Sequence, residues 1–300
     1  MNKFFKLSFL TSLLVLISIV FLNMLDSKVT VSSFGAIGDD QKEDTDAIQK
    51  AIDFQSDHGG GVVILSKGVY LIDSVKSLIL KDNITLKFKK GAILQAIPNK
   101  ADNYEVVRIK DVKNVTLTGD VNIKGDRLNH IGKTGEWGFG ISITGSENIK
   151  VENAEISNCW GDGIYIGSTE IKGYSNQINI SDVTLINNRR QGISIISAKN
   201  LEISNANILN TNGTAPESGI DLEPNFSTEY LENIKITNLK TENNSGYGLQ
   251  IYLKNLRGSI NPVSIEIVTS NNLPDGFYVG EYEGIEGKIL IEDFFTHILE

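Results

Sequence analysis

Two carboxylic acids stand two residues apart in the segment GIDLEP, as Asp221 and Glu223. If this segment is a β-strand, alternation directs both side chains to the same face with their Cβ atoms about 6.5–7 Å apart, which is compatible with carboxyl separations of about 5 to 9 Å. That range covers both geometries of glycoside hydrolysis, in which one carboxyl group is an acid and the other a nucleophile or base. The same two groups could instead hold a calcium ion, which takes oxygen ligands.

Further polar and aromatic side chains fall at the corresponding edge of neighbouring repeats. The candidate catalytic acids are Asp162, Asp221 and Glu223. The candidate substrate-binding residues are Arg189, Arg190, His130, Glu136, Trp137, Tyr165 and Gln250. Aromatic rings offer apolar faces to sugar C–H groups, and paired arginines can hold a carboxylate or sulfate.

The reaction type stays open at this level. Hydrolysis needs two of the three acids. Elimination or epimerisation needs Arg189 or Arg190 to neutralise a uronate carboxylate, and His130 or Tyr165 to take the C5 proton. The arginines could equally form salt bridges with the acids, and the tryptophans could pack as core or rim.

A repeated motif positions these residues. A glycine followed by apolar-x-apolar recurs at intervals of 23 to 29 residues, at Gly140, Gly163, Gly192, Gly219, Gly248 and Gly276. A second strand-like run follows each motif, and most periods then reach an asparagine-rich turn. One period therefore predicts one coil of a parallel β-helix, with Ile and Val inside and the intervening residue outside. Asparagines at equivalent turns are expected to hydrogen-bond from coil to coil.

One helix is predicted near the start, around Ala47 to Phe54, where it would cap the first coil. Asp44, Thr45 and Asp46 stand at its beginning, where exposed N–H groups and the helix dipole favour them. The predicted apolar face consists of Ala47, Ile48, Ala51, Ile52 and Phe54. No later helix is expected, and the final stretch EDFFTHILE is apolar enough to cover the last coil. The fold class is therefore all-β: a right-handed parallel β-helix (solenoid) with an N-terminal α-helical cap.

Composition limits the classes of binding partner and of cysteine chemistry that the chain can have. The chain has 300 residues, is 40% hydrophobic and carries a formal charge of -9, a poor match to a phosphate backbone. Nucleic acid is therefore not an expected partner. The single cysteine, Cys159, cannot form an intrachain disulfide or by itself a zinc site, and we expect it to be buried.

The N-terminus predicts export. Lys3 and Lys6 precede an uncharged apolar run over residues 7–25, which is about long enough to cross a bilayer. Residues 1–28 are interpreted as a signal peptide or an uncleaved membrane anchor, and residues 29–300 as one β-helix domain. The protein is expected to be secreted or extracytoplasmic, with membrane contact only through this segment.

The segment from Phe34 to Tyr70 contains FGAIGD, DTDAIQKAID, GGG and KGVY. It resembles the opening of the pectate-lyase-like right-handed β-helix proteins, which include polygalacturonases, uronan lyases and alginate C5-epimerases. Gly161-Asp162-Gly163 stands where polygalacturonases have Gly-Asp-Asp, and Arg190-Gln191-Gly192 where they have Gly-His-Gly. Asp221 matches the aspartate of the epimerase Asp-Pro-His-Glu motif, but Glu223 stands where the histidine would be.

This resemblance implies a polysaccharide partner. The expected function is an exported carbohydrate-active enzyme that cleaves or modifies a polysaccharide, with hydrolysis of polygalacturonase-like type slightly ahead of uronan lyase or C5-epimerase chemistry. No cofactor is expected, apart from a possible calcium ion at Asp221 and Glu223. The alternative is a non-catalytic glycan-binding or structural surface β-helix protein.

Overall fold

The computed structural model describes residues 27–269, 273–293 and 296–298. The predicted signal or anchor segment therefore lies almost entirely outside the described residues, as do Phe294 and Phe295 of the expected C-terminal cover. Among the described residues, no helix is long and apolar enough to cross a membrane.

The chain winds into coils whose strands stack in parallel as two sheets. The larger sheet contains β1 (Lys28–Thr30), β2 (Gly61–Leu65), β3 (Gly68–Ile72), β5 (Ile84–Phe88), β6 (Ala92–Ala96), β8 (Lys113–Gly119), β9 (Val121–Lys124), β11 (Glu147–Ser157), β13 (Ser175–Ile186), β15 (Ala198–Leu209), β17 (Leu231–Glu242), β19 (Val263–Thr269), β21 (Gly287–Asp293) and β22 (Thr296–Ile298). The smaller sheet, called here the groove sheet, contains β4 (Leu78–Ile79), β7 (Asn103–Lys110), β10 (Trp137–Thr144), β12 (Ile164–Gly167), β14 (Ile193–Ile195), β16 (Ile220–Leu222), β18 (Leu249–Tyr252) and β20 (Phe277–Gly280). The predicted parallel β-helix is confirmed; only β22 pairs antiparallel among the strand pairs described.

Stacked aliphatic side chains fill the interior. On the groove sheet, the core residues Ile141, Ile164, Ile193, Ile220 and Leu249 lie in register on successive strands, and each is fully buried. Side chains alternate along each strand, so the residue between two core positions points outward. On the groove sheet, the outward residue of each coil therefore lies in register with the outward residues of the neighbouring coils.

Five of the six repeated glycines are required by close approach rather than by an unusual φ angle, whereas Gly276 has a φ angle of 72°. A Cβ atom on Gly192 would lie 2.4 Å from Cγ2 of Ile208 and 2.5 Å from the carbonyl oxygen of Gly219. Real Cβ atoms do not approach other atoms so closely, so only glycine fits where the chain turns into the groove sheet.

Asparagines join the coils, as predicted. Asn188 is buried; its Oδ1 accepts a hydrogen bond from the N–H of Cys159 at 3.0 Å, in the preceding coil. On the outer surface, Asn233 donates to Asn200 at 2.8 Å, and Asn200 donates to Asn176 at 2.9 Å. Asn200 and Asn233 have φ angles of 52° and 54°, in the left-handed region that asparagine tolerates better than most residues.

The predicted cap is helix α1 (Thr45–Asp57), the only α-helix among the residues described. Ile48, Ala51 and Ile52 are fully buried against the first coil, whereas Phe54 is 42% exposed and packs beside Phe34. The expected role of Phe54 on the buried face is therefore wrong, because it lies at the edge of the helix.

Asp44 precedes α1 but does not cap it with its side chain. Its buried carboxylate accepts hydrogen bonds from the N–H groups of Ile37 at 2.9 Å and Leu71 at 3.3 Å. Asp44 therefore ties the cap to the first coil, instead of satisfying the free N–H groups of the helix.

Candidate functional site

One outward row crosses the groove sheet from coil to coil. Strand register aligns, in order, Arg108, Ser142, Tyr165, Ser194, Asp221, Gln250 and Tyr278. Adjacent strands of such a sheet are about 4.8 Å apart. The predicted placement of Tyr165, Asp221 and Gln250 on a common face therefore agrees with the register.

A cavity of about 1030 Å³ lies over this face between two loops, residues 168–173 and 223–229. Of the predicted site residues, it is lined by Trp137, Tyr165, Arg190 and Glu223. Trp137 is 46% exposed, so its ring is accessible from the cavity. Asp162 and Asp221 are 0% and 1% exposed, which differs from the expected open row of acids.

Asp162 is buried within a hydrogen-bonded network. Its carboxylate accepts a bond from Oγ of Ser194 at 2.8 Å and two from Nη1 of Arg190 at 3.2 and 3.4 Å. Burial raises the pKa of Asp162 to about 6, and the charge of Arg190 opposes this rise. Arg190 is also 3.9 Å from Glu136, whose side chain is 34% exposed. Of the two roles considered for Arg190, the salt bridge is the one present in the structure.

Asp221 and Glu223 form a coupled acid pair. Alternation places Ile220 and Leu222 in the core, as predicted, but neighbouring side chains cover Asp221. Burial raises the pKa of Asp221 well above its usual value, and both the charge of Glu223 and hydrogen bonding between the two carboxyl groups raise it further. Asp221 and Glu223 therefore interact directly at the edge of the cavity. The raised pKa favours the protonated form of Asp221.

The Oδ2 atom of Asp221 accepts a hydrogen bond from Nε2 of Gln191 at 2.8 Å, while its buried Oδ1 has no protein partner. The half-buried Glu223 lines the cavity directly. A sugar in the cavity would therefore meet Glu223 first, with Asp221 immediately beneath it.

His130 does not line the cavity. Its side chain is 0% exposed, its Nδ1 lies 2.8 Å from Asp126, and its ring stacks on Trp160 at 4.0 Å. Tyr104 also hydrogen-bonds to Asp126. We expected His130 to line an open groove. This prediction is wrong, because side chains from adjacent coils enclose the ring.

Arg189 lies on the other face of the same stack. Its guanidinium is 3.8 Å from the centre of the Trp160 ring, and it donates to the carbonyl oxygens of Gly135 and Trp160. Trp160 itself donates to the carbonyl oxygen of Thr134 at 3.3 Å. These contacts fix the loop before β10, so Arg189 and Trp160 support the groove wall rather than line the cavity.

Tyr165 lies on the cavity floor and stacks on Phe139 at 4.7 Å. Burial, together with nearby acids, raises the pKa of Tyr165 to about 12. Gln250 continues the row one coil beyond Asp221 and does not line this cavity. Cys159 is fully buried, as predicted.

Three contributing residues were not singled out from the sequence. Gln191 holds Asp221 and also accepts from the N–H of Ser218 at 2.9 Å. Ser194 occupies the outward position of GISI, a signal that could have revealed it. Glu229 accepts from the N–H groups of Asn225 and Phe226 and so shapes the loop over the cavity. No local motif distinguishes Glu229 in advance.

Metal ligands are sparse in the part of the chain that the structure describes, where no group of three or more His, Cys, Asp or Glu side chains could hold a metal ion. Asp221 and Glu223 supply two carboxyl groups, and Arg190 contributes positive charge nearby. A calcium ion at Asp221 and Glu223 stays a prediction.

Residues 44–223 match the family described as the right-handed β-helix region. The chain belongs to this family. The match runs from the helical cap through the coil that carries the acid pair, in agreement with the fold and with the resemblance seen in the sequence.

The proteins that are similar to this chain in sequence have names that describe different functions. The uncharacterized protein YclG of Bacillus subtilis is 29% identical over 65% of this chain and 38% of its own length. Mannuronan C5-epimerase AlgE6 of Azotobacter vinelandii is 30% identical over 44% of this chain and 17% of its own. Plasmin and fibronectin-binding protein A of Streptococcus pneumoniae is 29% identical over 61% of this chain and 24% of its own length. The chain thus spans well under half the length of these relatives.

Among solved structures, the iota-carrageenase of A. fortis superposes with a TM-score of 0.64 at 19% identity, covering 82% of this chain and 55% of that enzyme. This likeness shows the fold. Structural relatives of the chain thus include polysaccharide-active enzymes, and its relatives in sequence include uncharacterized and binding proteins.

Proposed function

We propose that this protein is an exported polysaccharide-modifying enzyme that hydrolyses a glycan bound along the groove sheet. The observation that carries the proposal is the coupled pair of Asp221 and Glu223 beneath a sugar-sized cavity. A buried acid with a raised pKa, beside a second carboxyl group that lines the cavity, can supply the proton that general-acid catalysis of glycoside hydrolysis needs.

In the proposed mechanism, Glu223 is the catalytic residue that exchanges a proton with the substrate. Asp221, whose raised pKa favours its protonated form, is a positioning residue, since neighbouring side chains separate it from the cavity. Asp162 orients Arg190 through two hydrogen bonds, and Arg190 reaches the cavity. Trp137 and Tyr165 offer ring surface to the sugar.

Hydrolysis is favoured over elimination or epimerisation because the groups that those reactions need are engaged elsewhere. Arg190 pairs with Asp162, and Arg189 binds backbone carbonyls. The ring of His130 is enclosed, and the raised pKa of Tyr165 makes it a harder group to deprotonate. Arg189 is therefore not free to meet a uronate carboxylate, Arg190 is held by Asp162, and neither His130 nor Tyr165 is a ready base for the C5 proton.

The test is incubation of the full chain with neutral polysaccharides (a β-glucan, a galactan, a mannan) and acidic ones (alginate, polygalacturonate, carrageenan), with and without calcium. New reducing ends without ultraviolet absorbance from unsaturated uronate are the expected result. Absorbance together with reducing ends would establish elimination instead. Glu223→Gln should lower turnover by about 10²–10⁴-fold, the usual contribution of an acid or base.

The matched control is Glu202→Gln, at an exposed position of β15 on the larger sheet. It should leave turnover unchanged. Equal activity of Glu223→Gln and Glu202→Gln would refute the assignment of Glu223.

The second candidate is a non-catalytic glycan-binding or surface protein. Two observations favour it: the burial of Asp162 and Asp221, and the relationship to a protein named for binding plasmin and fibronectin. Polysaccharide binding without turnover of any substrate would decide for this candidate.

Export rests on the apolar run at residues 7–25. Fractionation of cells that express the full chain tests it: recovery in the medium or membrane fraction supports export, and recovery in the cytosol refutes it.

A further inference from the structure

The outward row of the groove sheet continues past the cavity. Register pairs Asp221 with Gln250 and Gln250 with Tyr278 on the next two coils. At about 4.8 Å per coil, Tyr278 lies about 10 Å beyond Asp221 along the helix axis. A glycan lying along the row would therefore reach it.

Tyr278 has an aromatic neighbour. The ring of Tyr247, in the turn before β18, lies 5.3 Å from that of Tyr278 at an interplanar angle of 19°. The two side chains are 42% and 37% exposed, respectively, so they form an accessible aromatic surface at the end of the row. Contiguous exposed apolar surface can mark a ligand-binding groove, unlike hydrophobic side chains that are scattered singly.

We propose that Tyr247 and Tyr278 form a sugar-binding platform, and that it takes an uncharged pyranose unit of the polysaccharide two coils away from the acid pair. This inference rests on the proposed binding of a glycan along the groove sheet. Ring faces suit the C–H groups of a pyranose, and the side-chain amide of Gln250 can hydrogen-bond to its hydroxyl groups.

The absence of charge on these three side chains assigns the sugar class. A uronate or sulfate ester would call for a cation in contact with it. Tyr247, Gln250 and Tyr278 supply none, and the whole chain carries a net charge of -9 that disfavours an anionic polymer.

The platform also marks one end of the stretch of groove sheet proposed to bind the glycan, called here the binding tract; Trp137 marks the other end. Trp137 begins β10 and lines the cavity, three strands before β16, whereas Tyr278 lies two strands after it. The tract from β10 to β20 then measures about 24 Å. Several sugar units would bind, and the acid pair would act inside the chain rather than at its end.

Affinity electrophoresis of the full chain in gels containing each polysaccharide of the panel tests the platform. Glu223→Gln serves as the background, so that turnover does not alter the gel. In this background, the double variant Tyr247→Ala/Tyr278→Ala should lose at least about tenfold in affinity for a neutral polysaccharide.

The matched control is Tyr282→Ala, since Tyr282 is 49% exposed but lies beyond the end of β20. It should bind like the background protein. Circular dichroism should report the same fold for all variants.

The outcomes separate this inference from the proposed function. If the background protein binds a polysaccharide and the double variant binds it equally well, the platform is refuted and the proposed function stands. If the loss appears only with alginate, polygalacturonate or carrageenan, the uncharged sugar class is wrong. If no polysaccharide is bound or cleaved by the wild-type protein, both proposals fail.

Discussion

Replacing Asp162 with asparagine isolates the energetic effect of a buried carboxyl group at nearly constant shape. The side chain is 0% exposed, so solvent does not screen its charge. Burial raises the pKa of Asp162 from 3.8 to about 6. A difference of about two pKa units between the folded and unfolded states corresponds to about 3 kcal/mol.

The sign follows from proton binding. The raised pKa means that the folded state holds the proton more tightly than the unfolded state. The stabilisation by protonated Asp162 is therefore fully present below about pH 4 and is lost as the pH rises to about 6. Asp162→Asn cannot lose a proton, so its free energy of unfolding should lack this decline.

Urea denaturation of both proteins at intervals between pH 4 and 8 measures the effect. Relative to the variant, the wild-type protein should lose about 3 kcal/mol across this range. Asp162→Asn also loses the salt bridge to Arg190, but the pKa of about 6 already includes the opposing effect of this arginine, so the expected pH dependence is unchanged. Asp57→Asn, at an exposed position on α1, should follow the wild-type protein. Parallel pH curves for wild type and Asp162→Asn would refute the reasoning.

Other substitutions test the coil architecture and the loop over the cavity. Gly192→Ala should lower stability by about 1–3 kcal/mol because its Cβ overlaps a core isoleucine, whereas Gly173→Ala, with its nearest atom at 3.7 Å, should be nearly neutral in thermal unfolding. Asn233→Ala should cost about 1–2 kcal/mol through its positive φ, and Asn233→Gly should cost less; equal losses in urea would point to the hydrogen bond instead. Glu229→Ala leaves two backbone N–H groups without their acceptor and should speed proteolytic cleavage within residues 225–228, with an unchanged rate as the contrary result.

The coil repeat was predictable because its causes are local. Glycine is needed where the chain enters the groove sheet, and apolar-x-apolar alternation fixes which side chains point inward. Those two signals are enough to align Tyr165 and Asp221 on one face. The helical cap follows from periodicity in the same way, although Phe54 at its edge does not.

Burial at the site was not predictable, because the covering atoms come from other coils. Asp162 is enclosed by Arg190 and Ser194 from the next coil, and His130 by side chains from adjacent coils. A repeat indicates which residues share a face, but it does not specify how long polar side chains pair across that face. The interaction between Asp221 and Glu223 likewise depends on the chain leaving the strand after Leu222.

The pattern of hydrogen bonds beneath the cavity separates the two candidate functions. Asp162 is a well-satisfied buried acid with three hydrogen bonds, which a structural role explains. Asp221 differs, since its buried Oδ1 has no protein partner and its neighbour is another acid. A second carboxyl group beside a buried acid adds repulsion between the two when both are ionised. Under the proposed function, an acid pair that passes a proton to a bound sugar accounts for this arrangement, and comparing the turnover of Glu223→Gln with that of Glu202→Gln tests that account.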